Sequence, residues 1–154
     1  MSDRTTFVQG DLFKVDLSPA TVITMFLLPD LNLKLRPRLL KLRPGTRIVS
    51  NTWDMEDWMA DDTSLLDCPV FCNSLLWIIP ARVDGRWRLG SGSLTLHQRF
   101  QTATGTLTDG STSTPIAGAR LRGDRIEFDA AGRHYTGSVS RDLMTGTVTK
   151  DRKS

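Results

Sequence analysis

Long apolar runs are missing from this 154-residue chain. No stretch approaches the ~20 continuous apolar residues of a membrane helix. The opening MSDRTTF has neither the basic nor the apolar region of a signal peptide, so the expectation is a cytoplasmic protein with no membrane partner. Cysteine is scarce. Cys68 and Cys72 stand four apart in CPVFC without the second Cys or His pair of a closed zinc site, and they read as free or buried thiols with no metal. The two histidines, His97 and His134, are isolated and read as surface or sheet residues. No excess of one charge exists either. Lys+Arg 20 against Asp+Glu 17 gives a net charge of +3 with no concentrated basic face, which argues against a nucleic-acid partner.

What is present divides near residues 63–74, where a Leu- and Pro-rich text gives way to short alternating runs broken by Gly and Asp. Residues 1–62 read as an α/β segment, 63–74 as a linker, 75–149 as an antiparallel β domain and 150–154 as a tail. In the first segment, Phe7 to Phe13 reads as the end of a strand entering a Gly-Asp turn. The run from Thr21 to Leu28 is nearly all apolar or β-branched, as in a parallel strand covered on both faces. Leu31, Leu35, Leu39 and Leu42 recur at helical spacing between Lys and Arg, with Pro37 expected to kink that helix or start a second one. Arg47 to Ser50 is the next strand, and together these elements form a βαβ unit.

The second segment reads as a meander. Leu75 to Ile79 and Ala81 to Val83 lead into Asp84-Gly85, a hairpin signal. Further turns are placed at Gly90-Ser91-Gly92, Asp109-Gly110, Gly123-Asp124, Ala130-Ala131-Gly132 and Arg141-Asp142. Strands this short and this regular imply a sheet that curls over its own apolar face. The fold class is therefore α+β, a partial Rossmann-like α/β half followed by an antiparallel, barrel-like meander.

The phrases in QGDLFKVDLSPATVITMFLLPDLNLKLRPRLLKLRPGTRIVSNTWDMEDW, Gln9 to Trp58, resemble the second half of a class I S-adenosylmethionine-dependent methyltransferase. A more distant likeness, through KVDLS and the LRPGTRIV phrase, is to lysine methyltransferases of mitochondrial carrier and ATP synthase proteins. The meander resembles a β-rich extension that some bacterial relatives carry. This resemblance implies S-adenosylmethionine as cofactor. It implies that Asp11 accepts a hydrogen bond from the adenine amino group, that Leu12 packs on the ring, and that Phe26 stands beside the donor. Leu28, Pro29 and Trp53 fall on the acceptor side. Read from residues alone, Asp11 is first of all an Asx turn leaving a strand. Trp53, Asp54, Asp57 and Trp58 are either the wall of an acceptor pocket or an acidic loop with tryptophans anchored under the β-rich part. FLLP replaces the polar residue, Pro-Pro and aromatic pattern of many amine-acting relatives, so no catalytic residue is assigned.

The family's Gly-rich donor loop is not among these residues, and Gly90-Ser91-Gly92 leads into an alternating strand and reads as a hairpin turn rather than a cofactor loop. A sheet lacking its first strands leaves an edge unpaired. The expected partners are therefore a protein substrate, a second chain that completes the sheet, or another copy joined through that edge. The leading function is methyl transfer, with a protein amine such as lysine as acceptor, incomplete or inactive in this chain alone. The alternative is a non-enzymatic β-barrel-like binding or dimerisation module, with Trp77, Trp87 and Phe100 lining its interior.

Overall fold

The computed structural model describes residues 4–65 and 67–150, so the tail beyond Lys150 lies outside them. The chain is mostly β-sheet with one helix. Strand β1 (Val22–Met25), helix α1 (Pro29–Leu39) and strand β2 (Arg47–Asn51) form the expected unit, since β1 and β2 pair in parallel from Val22↔Arg47 to Met25↔Ser50. Pro29 opens α1 in its first turn, where a missing N–H costs nothing. Pro37 neither ends the helix nor starts another; it lies near the end of a continuous helix. Leu35 and Leu39, with Leu42 just beyond, are buried against the sheet.

Three expectations fail here for one reason. Residues 5–10 form no strand, β1 is only four residues long, and Val22 is 43% exposed rather than covered on both faces. A strand needs a ladder on each side to be buried, and among the described residues β1 pairs only with β2.

The boundary between segments also moves. Residues 63–74 are not only a connection, because β3 (Asp62–Leu65) and β4 (Asn73–Ile78) begin and end there. Both belong to the first sheet, in the order β1-β2-β4-β3, with β4 antiparallel to β2 and to β3. Leu75 to Ile78 looked like the first strand of the meander because its apolar run is equally suited to a sheet edge already at hand. Cys68 and Cys72 in the β3–β4 loop are joined as a disulfide, which overturns the reading as free thiols. The sequence offered no second pair to suggest bridging, but a four-residue spacing at a turn brings two cysteines close enough.

The remaining strands are β5 (Gly85–Leu89), β6 (Gly92–Arg99), β7 (Thr102–Asp109), β8 (Thr112–Pro115), β9 (Ala117–Arg122), β10 (Arg125–Ala130), β11 (Arg133–Ser140) and β12 (Leu143–Lys150). They form one antiparallel sheet in the order β12-β11-β10-β9-β7-β6-β5, with β8 on β7. The foreseen turns from Gly90-Ser91-Gly92 onward lie at strand junctions, although Gly92, Asp109 and Ala130 belong to the flanking strands, and Asp84-Gly85 does not make a hairpin. Ala81 and Val83 run in without a ladder because the side chain of Gln98 replaces one. Its Oε1 accepts from the Val83 N–H at 2.7 Å and its Nε2 donates to the Ala81 carbonyl at 2.9 Å. The sheet bends where strands approach too closely for a side chain. A Cβ at Gly105 would lie 1.9 Å from the Thr95 carbonyl oxygen, and one at Gly146 would lie 2.2 Å from that of Thr136.

Two cores result. One gathers Leu35, Leu39, Ile48, Met55, Trp58 and Trp77 around α1 and the first sheet; the other gathers Leu94, Leu96, Leu121, Ile126 and Phe128 inside the curled sheet. They are joined by the Trp58 ring stacked on Phe100 at 5.7 Å, by the Gln101 amide donating to the Met59 carbonyl at 2.6 Å, and by the fully buried Asp61 carboxylate. Asp61 accepts from the Ile78 N–H at 2.8 Å and pairs with Arg120 at 3.3 Å. No helix among the described residues is long and apolar enough to cross a membrane.

Candidate functional site at the carboxyl ends of the parallel strands

In open α/β sheets ligands sit beyond the carboxyl ends of parallel strands. At that edge β1 runs through Phe26, Leu27 and Leu28 into α1, while β2 ends at Asn51 and turns through Thr52 and Trp53. The turn is tight: Thr52 has φ of 65°, and the Trp53 N–H donates to the Asn51 carbonyl at 2.7 Å. Phe26 is 59% exposed and Leu28 63%; Pro29 and Trp53 are half-buried. Phe71, from the disulfide loop, meets the Phe26 ring edge-on at 5.4 Å.

The residue that ties this edge together is Asn32, fully buried in the first turn of α1. Its Nδ2 donates to the carbonyls of Trp53 at 3.1 Å and Asp54 at 3.2 Å, and lies 3.4 Å from the Ser50 hydroxyl. Its Oδ1 is buried without a partner. The amide cannot sensibly be reversed, because that would set its oxygen against two carbonyl oxygens. Sequence reasoning missed Asn32. The signal was a single polar residue in register with Leu35 and Leu39 on the apolar face of the helix.

The segment that carries Asp11 attaches to another turn of the same helix through the Leu12 and Val15 carbonyls. The Phe13 N–H donates to Asp11 Oδ1 at 2.9 Å, an Asx turn, leaving Oδ2 facing Lys14 at 3.6 Å. Arg38 donates to the carbonyls of Leu12 and Val15, and Lys34 lies over the Phe13 ring at 4.6 Å. Asn32 and Arg38 are thus six residues apart on one helix, about 9 Å along its axis. The adenine-side and acceptor-side candidates share a scaffold without touching through any described bond. Downstream, the Asp16 carboxyl is held below its ordinary value by the backbone N–H and the hydroxyl of Ser18.

The Trp53–Trp58 loop divides between its two readings. Trp58 is fully buried against Trp77 and Phe100, so it anchors the β-rich part and lines no pocket. Asp57 is committed to Arg36 at 2.5 Å and Arg99 at 3.0 Å. Asp54 accepts from the Glu56 N–H at 3.1 Å. Only Trp53 remains on the open side.

Hydrogen bonds from Arg99, then from Arg36, hold the Asp57 carboxyl below its ordinary 3.8. A folded-state value below the unfolded one stabilises the fold above the ordinary value and loses that contribution as pH falls through the folded one. Thermal melts taken downward from neutral pH should therefore show a loss of stability below about pH 3.8. Asp57→Asn should flatten part of that loss. Because the pair is half exposed, the effect at neutral pH should be small.

Comparison with known proteins finds methyltransferases. Residues 1–62 match the family model described as the ANTKMT methyltransferase domain. Over 59 residues the chain is 48% identical to a protein-lysine N-methyltransferase of Saccharolobus islandicus, a match that covers 38% of this chain and 37% of that protein. A solved RNA methyltransferase from Salinibacter ruber, in complex with S-adenosyl-L-homocysteine, shares 46% identity at a TM-score of 0.46, covering 50% of this chain and 49% of that one. The chain thus spans little more than a third of the length of its curated relative.

Proposed function

We propose that this protein, whose residues 1–62 match a methyltransferase domain model, serves methyl transfer from S-adenosylmethionine to a protein amine, lysine above all. The family match over residues 1–62 carries the reading. The parallel β1–α1–β2 unit supports the finer view that the first sheet is half of a Rossmann-like fold. The lysine acceptor is supported by the name of the Saccharolobus relative. A cytoplasmic location goes with such a role; there the exposed Cys68–Cys72 bridge would face reductants.

S-adenosylmethionine supplies a methyl group on a sulfonium, which an in-line displacement passes to a nitrogen lone pair. The protein's part is alignment and exclusion of water. Asp11 Oδ2, not consumed by the Asx turn, would accept from the adenine amine, and Leu12 and Phe26 would lie against the donor. Leu28, Pro29 and Trp53 would wall the acceptor side, with Asn32 fixing the Trp53 carbonyl. One carboxylate oxygen and exposed apolar faces make a weak grip. The edge of β1 away from β2, which pairs with no strand among the described residues, suits a strand from a second chain that completes the sheet and its donor site, and upstream of it Phe7 is 93% and Val8 71% exposed.

Titration of the isolated chain with S-adenosylhomocysteine, followed by NMR, tests this reading. Saturable binding with Kd on the order of 1 mM is expected, about −4 kcal/mol. It should be lost in Asp11→Ala and in Phe26→Ala. Binding that survives both substitutions would overturn the assignment of those residues, and no binding even at millimolar concentration would remove the donor site from this chain.

A further inference from the structure

The curled sheet holds a half-open cavity of about 300 Å³ between its two ends, where the β5–β6 turn faces β11 and β12 and no ladder among the described residues closes the seam. Its floor is Leu94, Leu107, Ile126 and Phe128, its wall the Tyr135 ring stacked on Phe128 at 4.8 Å, and its far side Met144. Of Trp77, Trp87 and Phe100, expected to line the interior, Trp87 packs against the core of the curled sheet and donates its indole N–H to the Val83 carbonyl, whereas Trp77 and Phe100 pack in the first core.

We propose that this cavity is a binding site for one small apolar ligand that is uncharged or carries an amine. Protein interiors are packed to crystal density, with few voids larger than a water molecule. A space roughly tenfold larger than a water's share of liquid volume, walled mainly by apolar side chains, is therefore a feature that calls for an occupant. Its size reaches the lower end of the range for small-molecule pockets. The charge of the occupant follows from the lining: Asp109 is the one ionisable acid there, and no Lys or Arg reaches it. A carboxylate head group would meet only like charge at the mouth, whereas an amine would meet Asp109 and the hydroxyls of Ser91 and Thr108. A second copy of the chain is less suited, because an added strand would pair along the β5 or β12 edge and leave the interior unfilled. This site lies in the curled sheet, and the inference does not depend on methyl transfer.

The full chain should bind the neutral fluorophore N-phenyl-1-naphthylamine saturably and one to one, with enhanced emission. Decylamine and decanol should displace it, decanoate at least about tenfold less well. Asp109→Asn should remove the advantage of decylamine over decanol. Leu107→Trp, which fills the cavity from its floor, should weaken probe binding by about tenfold or more while the melting transition remains; Met144→Trp serves the same purpose from the far side if Leu107→Trp does not fold. Absence of saturable binding, unchanged binding in a folded filled variant, or displacement by decanoate equal to that by decylamine would each overturn the proposal.

Discussion

Replacing Trp58 by Ala is expected to cost about 3–5 kcal/mol, the range for truncating a buried aromatic. The residue is fully buried, and its ring lies between Trp77 at 6.0 Å and Phe100 at 5.7 Å, so one side chain touches the first core and the start of the β6–β7 turn. Its backbone carbonyl accepts from the Trp77 indole N–H at 2.8 Å, so a disturbed backbone at residue 58 would strand a second buried donor. The loss should also uncouple the two cores. In urea, wild type should give coincident transitions by far-UV circular dichroism and by tryptophan fluorescence, and Trp58→Ala should separate them. Trp58→Phe is the informative contrast. The Trp58 Nε1 is buried without a partner, and Phe keeps a ring against Phe100 while deleting that donor. Relief of an unpaired buried polar group is worth about 1–3 kcal/mol, so Trp58→Phe should cost far less than Trp58→Ala. A Trp58→Ala protein within about 1 kcal/mol of wild type would show that the interface is held elsewhere.

Tryptophan 58 also illustrates what the sequence could and could not disclose. Its position directly after the acidic pair Glu56-Asp57 suited an acceptor pocket as well as a buried anchor, and only the arrival of Phe100 from the curled sheet decides between them. Local chemistry was legible wherever a turn residue or a short-range period controls the outcome. The turns from Gly90-Ser91 to Arg141-Asp142 need glycine or short polar residues, and the strands between them follow. The helix from Pro29 shows its Leu stripe, and the parallel pairing of β1 with β2 follows from a helical crossover. Partner choice was not legible. Leu75 to Ile78 carries no mark of which sheet it will join, and Phe7 to Gln9 carries no mark that its strand neighbour is missing. In the site, Phe26, Leu28 and Pro29 lie just beyond β1 because they are contiguous with it, although the strand read through Leu28 stops at Met25. Asn32 was passed over because a single polar residue on an apolar face gains meaning only when the Trp53 and Asp54 carbonyls are seen beside it.

That juxtaposition makes Asn32→Asp the most damaging small change at the strand ends. The substitution is nearly isosteric, so packing barely alters, but an ionised carboxylate would face two carbonyl oxygens that now accept from the Nδ2 group. A buried charge left without a partner costs about 3–5 kcal/mol. Burial and the facing carbonyls should raise the pKa of the new acid above its unfolded value. The sign of the pH effect follows: destabilisation is greatest above the folded-state pKa and recedes as pH falls through it, because the protonated acid can donate one hydrogen bond. Asn32→Leu separates charge from hydrogen bonding. It deletes the unpaired Oδ1 along with the donors and leaves the Asp54 carbonyl without its donor, while the Trp53 carbonyl keeps the Ser50 hydroxyl at 2.6 Å, for a loss of about 1–3 kcal/mol that should not vary with pH. Thermal melts of both variants at neutral and mildly acidic pH, with Trp53 emission as a local probe, distinguish them. Partial recovery on acidification in Asn32→Asp alone is the expected pattern. An Asn32→Asp protein as stable as wild type at neutral pH would mean that the Trp53–Asp54 carbonyls are not held by this side chain, and the acceptor-side wall would lose its anchor to the helix.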